Sequence, residues 1–113
     1  MRAMPVHGLD ERERCCIVMA LTAGSSDDEL VTQQAEQGRR LGLARAEIDA
    51  ARRGFSFDFR ISKAIALALA REEEVLKDSR SQAIRAGIDK QTCVLIERMA
   101  AELNVKRALR EDK

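Results

Sequence analysis

Cys15, Cys16, Cys93 and His7 are the residues of this chain best suited to nucleophilic, redox or metal chemistry. Thiol–disulfide exchange needs an accessible thiolate and a second thiol to resolve it, and a metal site needs several converging ligands. Cys15 and Cys16 are adjacent, so on a helix their side chains diverge by about 100° and cannot bridge without distorting the peptide between them. An odd number of cysteines is no disulfide framework; three reduced thiols packed as small apolar groups are the expectation, as in a cytoplasmic protein. A redox reading retains Cys15, if Arg12 and Arg14 help ionise it, or Cys93, within reach of a helix dipole. His7 lacks a second ligand nearby, so neither a metal nor a cofactor is expected. The run Asp27-Asp28-Glu29 has the charge for acid–base work, yet the dipole at a helix N-terminus accounts for it.

The elements that would position these residues are set by composition and punctuation. The chain has 113 residues, 45% hydrophobic and 35% charged. That is one domain, residues 1–113 with a core over about 10–109, neither disordered nor membrane-spanning by composition. Its net charge of +1 gives no general pull toward nucleic acid or an acidic membrane, and with three Phe, no Trp and no Tyr it lacks platforms for stacking bases. Met1 to Leu9 carries one Arg and no apolar run, unlike a signal peptide, and the stretch from Ala64 to Ala70 is too short to span a bilayer. A domain this small buries only about 60–70% of its unfolded surface, which favours self-association.

Six helices follow from caps and stops. Asp10 with Glu13 forms a capping box for a helix from Glu11 to Ala23. Ser26 with Glu29 forms a second, for a helix reaching Leu41 and stopped by Gly42, with Leu30, Val31, Ala35, Gly38 and Leu41 as its apolar stripe. A third, Arg45 to Arg53, turns Ile48 and Ala51 inward and ends at Gly54. Phe55, Phe57, Phe59 and Ile61 alternate like a strand, but such a strand has no pairing partner. Phe55 to Phe57 is therefore read as a loop, followed by a fourth helix, Asp58 to about Val75. This places Glu72-Glu73-Glu74 near a helix C-terminus, where the dipole disfavours them. Asp78 caps a short fifth helix ending at Gly87. Asp89 caps a sixth through Leu109, with Leu95, Ile96, Met99 and Leu103 on one side and Arg107 and Arg110 solvated. No repeat of fixed period stands out.

This order of helices and stops resembles the carboxymuconolactone decarboxylase and alkylhydroperoxidase-D superfamily, over about Asp10 to Leu109. The matching stretches are Arg12-Glu13-Arg14 leading into Ile17-Val18-Met19-Ala20, Gly42-Leu43 followed by Glu47-Ile48, and Ile84-Arg85-Ala86-Gly87-Ile88-Asp89 opening the last helix, with Asn104 inside it. The resemblance implies an all-α, six-helix domain and a homo-oligomer, a trimer or a hexamer, whose second and last helices contribute to interfaces. In the peroxidase-reductase branch a Cys-x-x-Cys opens the second helix, a His follows one turn later, and a Glu on the first helix completes a proton relay. Anchored on Gly42, those positions fall on Asp27, Leu30 and Gln34, with Cys15 where the Glu would be. Asp27 and Leu30 cannot exchange disulfides, and Gln34 cannot exchange a proton near neutral pH. The decarboxylase branch also keeps the His. The expectation is therefore a degenerate member without peroxidase or decarboxylase activity, binding a small carboxylate or amide in a pocket of Cys15, Asp27, Leu30 and Gln34, or serving a structural role.

A different class competes. Gln33 to Arg53 also reads as a helix-turn-helix, with Leu41-Gly42-Leu43 at the turn and Arg39, Arg40, Arg45, Arg52 and Arg53 available for phosphates. Against DNA binding stand Glu47 and Asp49 on the second helix, Gln37 at a position expected to be buried, and the near-zero charge.

Overall fold

The computed structural model describes residues 9–111, with side chains described through residue 105. The helices are α1 (Glu11–Leu21), α2 (Asp28–Arg40), α3 (Arg45–Arg52), α4 (Phe59–Leu69), α5 (Glu73–Arg85) and α6 (Lys90–Glu111). Among the described residues there is no strand, and no helix is long and apolar enough to cross a membrane.

The expected caps are largely in place. Asp10 Oδ1 accepts the Glu13 N–H at 2.8 Å and Glu13 Oε1 accepts the Asp10 N–H at 3.0 Å, closing the capping box of α1. The cap of α2 falls one residue later than expected. Asp27, not Ser26, faces the helix end, accepting the Leu30 N–H at 3.1 Å while Ser25 Oγ holds the Asp27 N–H. A carboxylate there gains from the dipole as well as from the hydrogen bond.

The largest correction concerns α4 and α5. The fourth helix ends at Leu69 rather than near Val75, because Ala70 turns to extended backbone with ψ 129°. The fifth starts at Glu73 with Glu72 as its N-cap, and Asp78, expected as a cap, lies in its interior. The three glutamates thus sit at the positive end of a helix, which removes the electrostatic conflict in the sequence reading.

The six helices form two like units. Shifting α1 by 48 residues gives α4: Asp10 and Asp58 are both N-caps, and Cys16, Ile17, Met19 and Ala20 match Ala64, Ile65, Leu67 and Ala68, all buried. Shifting α2 and α3 by 45 residues gives α5 and the start of α6. The Leu43 N–H donates to the Gly38 carbonyl at 2.9 Å, as the Ile88 N–H donates to the Ala83 carbonyl at 3.0 Å. Gly42 and Gly87 hold φ at +91° and +101°, where a side chain would be strained. The shift changes because residues 22–27 join α1 to α2 but only 70–72 join α4 to α5. The offset is not constant, which is why the likeness escapes a search for a fixed period.

Each unit packs its first helix on its third, and the units meet where α1 crosses α4. Small residues at Cys16, Ala20, Ala64 and Ala68 face one shared core with Ile17, Met19, Ile65, Leu67, Ile88 and Ile96. In α3, Ile48 and Ala51 point inward as expected, while of the predicted stripe on α2 only Gly38 is buried and Leu30, Val31, Ala35 and Leu41 are half-buried. Gln37 is exposed; the buried position before the turn belongs to Gly38. On α6, Cys93, Ile96 and Ala100 are buried, with Met99 and Leu103 packed at the edge.

Candidate functional site

The four residues of the expected pocket lie along α1 and α2. Asp27 is exposed and engaged as the N-cap. Leu30, one turn on, is half-buried. Gln34, a further turn along, is half-buried and does not point toward Cys15. Its Nε2 donates to Thr22 Oγ1 at 2.9 Å, and that hydroxyl donates to the Val18 carbonyl at 2.7 Å. Thr22 is the C-cap of α1, seven residues beyond Cys15, or about 10 Å along the helix axis. The amide therefore ties α2 to the end of α1, as a half-buried polar group needs to be tied.

The thiols are enclosed. Cys15, Cys16 and Cys93 are 8%, 2% and 1% exposed, and all three are free. Burial pushes each thiol up from its ordinary value, to about 11 for Cys16, where Cys15 and Glu47 add to the effect. The cation beside Cys15 is Arg52, not Arg12 or Arg14, and it offsets only part of the burial. At Cys93 burial is reinforced by Glu97 and partly opposed by Arg80. Neutral thiols are poor nucleophiles, so their surroundings suit packing. The repeat gives the same answer, because Cys93 occupies the position of Ile48 and Cys16 that of Ala64.

Sequence reasoning missed two part-buried polar contacts. Glu13 is 5% exposed and, besides capping α1, forms an ion pair with Arg60 across the α1–α4 crossing. Its spacing from Ile17 and Ala20 places it on the inward stripe, which was the available signal. Arg52 Nη2 donates to the Val31 carbonyl at 2.7 Å and so fastens α3 to α2. Only the fold reveals that contact.

A separate groove of about 420 Å³ lies between the start of α1 and the second half of α2, lined by Glu11, Gln33, Glu36, Gln37, Arg40 and Leu41. It shares no residue with the expected pocket. Among the described residues there is no cluster of three His, Cys, Asp or Glu side chains able to hold a metal ion, and His7 lies outside the described residues. No protein-family model, curated protein or solved structure matches the chain.

Proposed function

We propose that this chain is a catalytically degenerate relative of the carboxymuconolactone decarboxylase and alkylhydroperoxidase-D proteins, acting as a homo-oligomer, a trimer or hexamer, in a non-redox binding or structural role. The reading rests on the sequence resemblance. One observation carries its non-redox part: a carboxylate, Asp27, holds the N-terminus of α2, where a reactive thiolate would sit, while every thiol is buried. A bound ligand would be a small carboxylate or amide recognised at Gln34, whose Nε2 would exchange its Thr22 contact for the ligand. The protein should show no hydroperoxide turnover with a dithiol reductant beyond that of a variant with all three Cys replaced by Ser. Turnover lost in that variant would restore a thiol enzyme using Cys15 or Cys93. A thermal-shift screen with small carboxylates and amides should find ligands for the native protein and none for Gln34→Leu; equal shifts for both would remove the pocket.

DNA binding through α2 and α3 is the second reading, supported by the four-residue turn around Gly42 that joins them. The charges oppose it. Arg52 is committed to Val31, Glu47 to Arg12 at 3.6 Å and to the Ala44 N–H, and Asp49 stands exposed on α3. A mobility-shift assay with random duplex DNA at low salt should show no retardation; retardation would favour this reading.

A further inference from the structure

All three aromatic rings of the chain stand outside its core, within one stretch of five residues. Phe55, Phe57 and Phe59 are 39%, 66% and 67% exposed. With about 200 Å² for a whole ring side chain, they present roughly 350 Å² of apolar surface, the size of patch that on a monomer is often functional. Their backbone is held on a fixed frame. The Phe55 N–H donates to the Ala50 carbonyl at 3.1 Å, the Asp58 N–H to Ser56 Oγ at 3.0 Å, and Asp58 Oδ1 caps α4 through the Ile61 N–H at 3.0 Å. Phe55 and Phe57 meet edge to face with centroids 5.9 Å apart, and Lys63 Nζ lies 5.2 Å from the centre of the Phe59 ring.

The likeness of the two units sets Phe57 apart from its counterpart. Its counterpart in the first unit is Leu9, which is partly buried against the core. Phe57 holds the same position before its helix with two-thirds of its surface open. Arg53 and Asp58 flank the Phe55–Phe57 ring pair, with Phe59 just beyond Asp58; both charged residues are exposed, and Arg53 forms no ion pair among the described residues. Residues 53–58 thus carry a cation at one end, an anion at the other and the Phe55–Phe57 ring pair between.

We propose that Arg53–Phe59 is a self-association surface whose partner is the same segment of a second copy, joined about a two-fold axis. An isologous contact requires a self-complementary patch. Running two such segments antiparallel sets Arg53 against Asp58 of the partner subunit and the edge-to-face ring pair against its equivalent. A net charge of +1 leaves little long-range repulsion between copies. Two patches together cover about 700 Å², less than half of a standard interface, so this contact is the apolar centre of a concentration-dependent association. The inference rests on the homo-oligomer proposed above and names its surface: a two-fold contact joins two trimers into a hexamer.

Sedimentation velocity of the whole protein from about 1 μM to about 1 mM tests it, with Phe57→Asp and Arg53→Glu alongside. The native chain should self-associate, Phe57→Asp should move the midpoint at least roughly tenfold to higher concentration, and Arg53→Glu should move it by a smaller factor. Both side chains are exposed, so circular dichroism and urea denaturation should be unchanged and any loss of association is not a loss of fold. Association of the native chain and both variants with one midpoint would overturn this surface and leave the oligomer standing. A native chain that stays monomeric throughout would overturn both, and flotation of it, but not of Phe57→Asp, with phosphatidylserine-containing vesicles would reassign the patch to a membrane.

Discussion

The unit of α1, α2 and α3 and the unit of α4, α5 and the start of α6 share a frame and differ in how they fill it. Both begin with an aspartate N-cap, both bury an isoleucine at the centre of the first helix, and both turn through a left-handed glycine. Inside that frame, volumes and charges are exchanged between positions. Where the first unit sets Gly38 against Ile48, the second has Ala83 and Cys93, a larger residue matched by a smaller one. A Cβ added at Gly38 would meet Ile48 Cδ1 at 3.1 Å, so Ile48 would have to give by a few tenths of an ångström to admit the alanine of the second. The second and third helices of each unit are also tied differently. Arg52 donates to the Val31 carbonyl in the first unit, whereas Glu97, at the position of Arg52, takes both Nε and Nη2 of Arg80 at 2.7 and 2.8 Å. Caps, turn glycines and the apolar phase hold the shared architecture; residues at the remaining positions vary as long as volume and charge are balanced locally.

This equivalence can be broken or sharpened by measurement. The largest effect is expected in the core, where Ile17→Ala and Ile65→Ala should each cost about 3–4 kcal/mol in urea denaturation. Values more than about 2 kcal/mol apart would mean that the units do not share the core equally. Next comes the polar contact that only one crossing helix supplies. Glu13→Ala removes a buried ion-pair partner and a capping box together and should cost about 3 kcal/mol, while Arg12→Ala, which loses an exposed pair, should cost under about 1 kcal/mol. Equal costs would show that burial at the α1–α4 crossing adds nothing.

A pH effect follows from Cys16. Its folded value, about 11, lies above the ordinary 9.0, so the folded chain holds that proton after the unfolded chain has released it. The stability tied to the protonated thiol is fully present below pH 9 and lost as pH rises toward 11, by a drop on the order of 2–3 kcal/mol. Cys16→Ala, which copies Ala64, should lessen the fall over that window while Cys15 and Cys93, also raised by burial, keep a part of it; an unchanged slope would show that Cys16 does not drive it. The smallest effect concerns the exchanged volumes. Gly38→Ala alone should cost about 1 kcal/mol, and combining it with Ile48→Cys should recover part of the summed loss, since the pair reproduces Ala83 and Cys93. Strict additivity would break the proposed match of volumes.

Much of the helical pattern was legible because its signals are local. Asp10, Asp58, Gly42, Gly54 and Gly87 mark ends through hydrogen bonds and backbone preferences reaching only a few residues. The alternation from Phe55 to Ile61 was rightly set aside, since a strand needs a partner and none exists among the described residues. The break after Leu69 was misplaced because Ala70 and Arg71 carry no stop signal; the acidic run at Glu72 was the clue, once taken as the start of a helix. For the site, residue types showed the absence of a paired-cysteine motif, but not where Gln34 would point or which cation would lie beside Cys15.

By itself, the sequence determined the all-helical class, the number of helices, most of their ends, the inward phase of α3 and part of that of α6. Each of these depends on neighbours within about four residues. Only the tertiary structure decided that the helices form two like units, that Glu13 pairs with Arg60, that Arg52 fastens α3 to α2, and that the three phenylalanines remain outside. Those facts depend on distances between residues 21 to 47 positions apart in the chain, and on whether a helix arrives to cover a given surface. A one-dimensional pattern carries little of that information, because the same apolar stripe can be buried by any partner of suitable shape.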